Sequence, residues 1–117
     1  MGPVFKELAR DHARNLAVAG ELSGVTRVGS WWSADGATEL DVVALRDREV
    51  ALAGEATWAE RLDRGALARL RQGLRLLPGG EGSATGGEVP LALFARSGFD
   101  EVRPTEATLV TVDDLYR

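Results

Sequence analysis

Four residues carry the most explicit chemistry in this sequence: Glu39, Asp41, Glu55 and Thr57. They lie in E-L-D-V-V-A and G-E-A-T-W, two runs of strand-type residues separated by Arg46, Asp47 and Arg48. If a three-residue turn closes an antiparallel hairpin there, Leu45 faces Glu49, Asp41 faces Ala53 and Glu39 faces Glu55. Alternation then gathers Glu39, Asp41, Glu55 and Thr57 on one face, and Leu40, Val42, Ala44, Leu52 and Trp58 on the other. A face that collects carboxylates is a place for cations and protons, where a half-buried strand would ordinarily carry apolar or neutral groups.

The elements around this hairpin follow from periodicity. Phe5, Leu8, His12, Leu16 and Ala19 recur at helical steps, which predicts a helix from Pro3 to Gly20 with Ala9, Ala13 and Ala17 as a shoulder beside the stripe. Lys6 falls on that shoulder, whereas Glu7, Arg10 and Arg14 fall together on the far side. Strands are expected at Val25–Trp32, Thr38–Leu45, Glu49–Thr57, Val89–Ala95 and Leu109–Val112, with Asp35-Gly36 as a turn and an acidic, aromatic tail from Asp113 to Tyr116. Asp63 is placed to cap a second helix that runs to about Leu77 and ends at Pro78, Gly79 and Gly80. The order αβββαββ implies an α/β (α+β) architecture, a mixed sheet with a helix on either side.

Composition excludes several classes. With no cysteine there is neither a disulfide nor a thiolate site, and a cytoplasmic setting is expected. A formal net charge of -4 argues against a wholly basic nucleic-acid-binding domain, although local patches remain open. No apolar run is long enough for a signal peptide or a membrane span. The length of 117 residues suits one domain. Gly79 to Glu88 is expected to be a flexible loop; it lacks the lysine and hydroxyl residue of a P-loop. His12, in an apolar stripe, reads as a core histidine, and Trp58 as a core anchor rather than a base-stacking residue. The Arg64, Arg71 and Arg75 stripe on the second helix either tracks phosphates or is a solvated face.

The W-W, E-L-D-V-V-A and G-E-A-T-W segments, in this order of elements, resemble the PD-(D/E)XK nuclease-like superfamily. The closer resemblance is to the domain of unknown function at the C-terminus of archaeal and bacterial AAA-type ATPases, where W-W, E-I-D-V-V-A and G-E-C-K-W are usual. It extends from the G-P-V-F start of the first helix to the S-G-F turn after the fourth strand. The resemblance implies a restriction-endonuclease-like mixed central sheet flanked by helices. It also implies that residues 1–117 are the C-terminal part of a longer ATPase chain.

Carried over by motif, Asp41 and Glu55 take the positions that hold a divalent metal such as Mg²⁺ in the superfamily, with Glu39 as a further candidate. In the hairpin they are diagonal neighbours, about 7–8 Å apart between Cα atoms. Phosphodiester hydrolysis needs a hard cation against the phosphate charge, and Mg²⁺ is held through carboxylate oxygens. Two positions depart from the pattern. Thr57 stands where the superfamily has lysine, and its hydroxyl supplies no positive charge. Lys6, the only lysine among 14 basic residues, stands where the family helix commonly carries glutamate.

Two readings of Lys6 are open: it reaches the carboxylates and restores the lost charge, or it is an ordinary helix residue beside Glu39 or solvent. Three functions follow. The first is a catalytically incomplete accessory domain of the ATPase that binds DNA. The second is an active metal-dependent endonuclease using Asp41 and Glu55, and the third a structural module that associates with itself or the ATPase part through its tryptophans.

Overall fold

The computed structural model describes residues 2–18, 24–47, 49–77 and 89–115. The expected features at Ala19 and Gly20, Arg48, the Gly79–Glu88 loop with the preceding Pro78, and Tyr116 lie outside them. The chain runs α1 (Gly2–Val18), β1 (Arg27–Trp32), β2 (Glu39–Arg46), β3 (Glu49–Ala56), β4 (Arg61–Leu62) and α2 (Arg64–Leu76). It continues through β5 (Leu91–Ala95), β6 (Gly98–Phe99), β7 (Thr108–Thr111) and α3 (Val112–Leu115). Five strands form one mixed sheet in the order β1-β2-β3-β5-β7, antiparallel from β1 to β3 and parallel from β3 to β7. This is the expected mixed α/β architecture, with the sheet flanked by helices, and it is compatible with a restriction-endonuclease-like α+β fold. No helix among the described residues is long and apolar enough to cross a membrane.

The central hairpin departs from the expected register. The turn is tighter than three residues: Arg46 pairs with Glu49 and Leu45 with Val50, and Asp47 takes a left-handed φ of 57°. A bulge at Ala51 then adds a second step, so Ala44 pairs with Leu52, Val43 with Ala53 and Val42 with Gly54. Two one-residue slips restore the parity of the strands. They also carry Asp41 past Ala53, to lie one position beyond the Val42–Gly54 pair, as Glu55 does.

Nor does the hairpin have one apolar and one acidic face. Leu40, Val43 and Ala53 pack in the layer under α2, while Val42, Ala44 and Leu52 pack in the layer under α1. A sheet covered by helices on both sides has two apolar faces, so the acids are confined to where β2 begins and β3 ends.

The helices are held by residues that allow close approach. Phe5, Ala9 and Ala13 are fully buried, whereas Leu8 and Leu16 are only half-buried. Ala9 and Ala13 of the alanine shoulder therefore lie at the centre of the buried face of α1, because small side chains let a helix axis sit close to the strands. Lys6 and Arg10 border this face. Arg10, expected on the far side, instead donates from Nε to the backbone oxygen of Asp41 at 2.9 Å.

On the other face, Asp63 caps α2 by accepting from the Gly65 N–H at 2.9 Å. Leu67 and Leu70 are buried, and a Cβ at Gly73 would stand 2.8 Å from Leu40 Cδ2. Glycine at this position, unfavourable for the helix alone, lets α2 rest directly on the start of β2.

Candidate functional site

Where β2 begins and β3 ends, α1 and α2 leave an opening of about 410 Å³. Lys6 enters from α1, Glu39 and Asp41 from β2, Glu55 and Thr57 from the end of β3, and Arg69 from α2. The residues that alternation gathered on one strand face thus meet in a cleft between two helix layers, and the lysine meets them there. Lys6 Nζ lies 3.2 Å from Glu39 Oε1 and 3.1 Å from Asp41 Oδ1. The first contact is a hydrogen bond; the second is an ion pair without hydrogen-bond alignment, which leaves Asp41 Oδ1 with no donor.

Asp41 is 5 % exposed, the one buried charged residue in the described structure. Its Oδ2 accepts the Ala56 N–H at 2.9 Å, tying the start of β2 to the end of β3. Burial raises the Asp41 carboxyl above its ordinary value, against the opposing pull of the Ala56 N–H and Lys6. Burial likewise raises Glu55, although Arg69 Nη2 stands 3.5 Å from its Oε2. That oxygen is buried and accepts no hydrogen bond. Burial alone would lower the Lys6 ammonium, but Asp41 and Glu39 outweigh it and the net shift is upward. The centre holds three carboxylates against two cations in a partly dehydrated space.

A divalent metal does not fit this arrangement as it stands. Among the described residues, no group of three or more carboxylate or imidazole side chains is placed to hold a metal ion. Of the two oxygens of Asp41, one is taken by the Ala56 N–H and the other is covered by the Lys6 ammonium. Thr57 lines the cleft with a neutral hydroxyl and supplies neither charge nor a base.

The arginine stripe of α2 does not present one basic surface. Arg64 grips Glu106 through both terminal nitrogens, at 2.8 and 2.9 Å, and also donates to the Glu101 carbonyl. Arg71 Nη2 stands 3.9 Å from the same carboxylate, whereas Arg75 lies exposed in the last turn. Two of the three arginines therefore pin the segment before β7 to the helix.

Hydrogen bonds from Arg64 and from the Arg103 N–H bring the Glu106 carboxyl down to about 2 from an ordinary 4.5. A depressed carboxyl contributes stability that is present above the unfolded value and lost as pH falls through the folded one. Acid melts should accordingly show a loss between about pH 4.5 and pH 2 in the parent that Glu106→Gln lacks.

Sequence reasoning missed Arg69 and the reach of Arg10. Arg69, Gln72 and Gly73 stand at i, i+3 and i+4 beside the buried Leu70, a spacing that marks the edge of the buried stripe facing the cleft. The other aromatic candidates are structural. His12 sets its ring edge-on to Phe94 at 6.0 Å, and Trp58 does the same with Phe5 at 5.3 Å under the Arg96 guanidinium.

The family model DUF234, described as archaeal and bacterial proteins of unknown function, matches residues 1–69. The match spans α1 to the first turns of α2 and includes Lys6, Glu39, Asp41, Glu55, Thr57 and Arg69. No curated protein and no solved structure matches the chain. With more than half of its length matched, and every charged group of the cleft inside the match, the chain belongs to the DUF234 family of proteins of unknown function.

Proposed function

We propose that this domain is a PD-(D/E)XK-type scaffold without nuclease activity, serving as a DNA-binding accessory module of an AAA-type ATPase in the same chain. The observation that carries this reading is Lys6: its ammonium lies against Asp41 and Glu39, in the space where a nuclease of this type would keep its cation. The position of the nuclease lysine is Thr57, so the acids survive without the group that would activate water. DNA contact would fall to the exposed arginines of α2, Arg69 at the mouth of the cleft and Arg75 beyond it.

Fluorescence anisotropy with duplex DNA over a salt series, run beside a cleavage assay in Mg²⁺ and Mn²⁺, tests the reading. Binding should weaken linearly in log salt, the slope should flatten by about 1 when Arg69 or Arg75 becomes alanine, and no cleavage should be seen. Cleavage that disappears in Asp41→Asn would instead establish the endonuclease reading. An upstream P-loop ATPase in the same coding sequence is expected, and its absence would remove the ATPase part of the proposal.

A structural role is favoured by a separate observation. Trp32 is 58 % exposed on β1, an edge strand of the sheet, where it is available to a second surface. A concentration-dependent dimer lost in Trp32→Ser, together with no DNA binding, would make this the function.

A further inference from the structure

We propose that the Lys6 ammonium is the resident cation of the acid centre, a tethered counter-ion that closes it to divalent metals. Two buried oxygens in the cleft accept no hydrogen bond, Asp41 Oδ1 and Glu55 Oε2. Buried polar atoms in that condition are uncommon, and each calls for a partner of another kind. For Asp41 Oδ1 that partner is Lys6 Nζ at 3.1 Å, an ion pair held by charge rather than by hydrogen-bond geometry. Glu55 Oε2 has only the distant Arg69 guanidinium at 3.5 Å, from a side chain that is 63 % exposed.

Charge explains why lysine and metal exclude one another. Glu39, Asp41 and Glu55 against Lys6 and Arg69 leave one net negative charge in the cleft, too little for a dication, which would also stand in contact with the ammonium. Without Lys6 the deficit becomes two, the charge that a divalent ion neutralises, and the unbonded oxygens of Asp41 and Glu55 are hard donors of the type Mg²⁺ and Mn²⁺ accept. Tethering favours the incumbent. Lys6 follows directly on Phe5, which is fully buried, so the ammonium is delivered from an anchored backbone and loses little freedom on entering.

The inference rests on the proposed reading only in taking the centre to be metal-free. Its test involves neither DNA nor cleavage, so the two can fail separately. Thermal melts of the parent should be unmoved by millimolar Mg²⁺ or Mn²⁺. Lys6→Met, which keeps the aliphatic stem, should gain roughly 5 °C when Mn²⁺ stands at about ten times its dissociation constant. The gain should vanish in Lys6→Met combined with Asp41→Asn, and Lys6→Arg should behave as the parent. A parent that shifts as much as Lys6→Met, or a Lys6→Met protein that no metal moves, overturns the proposal.

If Lys6→Met does not fold, the parent alone still decides. With one lysine in the chain, ¹⁵N-lysine labelling gives a single side-chain ammonium signal. That signal should be protected from exchange and displaced in Asp41→Asn; a signal with the position and exchange rate of a free lysine overturns the proposal.

Discussion

Replacing Phe5 with alanine is expected to lower the free energy of unfolding by about 3–5 kcal/mol, a large share of what a domain of this size has. Phe5 is fully buried and sets its ring against Trp58 at 5.3 Å, so it anchors the first turn of α1 at the end of β3. The rest of the buried face of α1 is made by Ala9 and Ala13, which bring little apolar area of their own. Among the described side chains of α1, no other large one is fully buried, so Phe5 carries most of the anchoring. Removing the ring leaves a cavity lined by the sheet, and a close-packed neighbourhood relaxes only partly into it.

The loss should reach the acid centre as well, because Lys6 is delivered by the same helical turn. Urea unfolding followed by circular dichroism gives the first number, and Phe5→Leu, which restores most of the volume, should recover most of it. A cost below about 1 kcal/mol would mean that α1 is not docked through Phe5.

The regular elements were legible because each carries its own periodicity. Asp63 marks the start of α2 through a local bond to Gly65, and alternating or continuous apolar runs mark the five strands of the main sheet. Where the reading failed, the deciding contacts are remote. The strands β4 and β6 have two residues each, too few for any period, and exist because Arg61–Leu62 is brought beside Gly98–Phe99. Their connection is secured by Ser97 and Gly98, whose N–H groups both donate to the Glu60 carbonyl. The register of β2 on β3 depends on a tight turn and a bulge at Ala51, and an alanine gives no sign of which it will do. On α1 the largest residues suggested the buried face, but fit to a close-lying sheet selected the smallest.

The site was legible in its members more than in its geometry. Helical phase alone placed Lys6 near the packed face, and motif spacing picked out Asp41 and Glu55. That Arg64 and Arg71 turn to Glu106 was not readable, since Glu106 lies 42 residues from Arg64 and its segment has no regular pattern. Arg69 went unnoticed for the opposite reason: it stands beside an apolar stripe and resembles any solvated arginine until the cleft is seen.

Asp41 is where charge and architecture meet, and its two simplest variants separate them. Asp41→Ala is expected to cost about 1–3 kcal/mol, because the Ala56 N–H loses its acceptor within the fold and Lys6 loses its closer partner. Asp41→Asn keeps an oxygen for the Ala56 N–H and removes only the charge, so at neutral pH it should stand much closer to the parent.

The pH dependence has a definite sign. Burial raises the folded Asp41 carboxyl above its ordinary 3.8, despite the Ala56 N–H and Lys6 and with Glu39 adding to the rise. A raised carboxyl contributes stability that is complete below the unfolded value and lost as pH rises through the folded one. From about pH 3.8 upward, the parent should thus lose stability relative to Asp41→Asn until the folded carboxyl is ionised, beyond which the difference is constant. Urea melts of parent, Asn and Ala forms over that range measure all three curves. If Asn and Ala fall together below the parent at neutral pH, the ion pair with Lys6 is what holds this corner of the sheet; if Asn follows the parent, the backbone bond to Ala56 is.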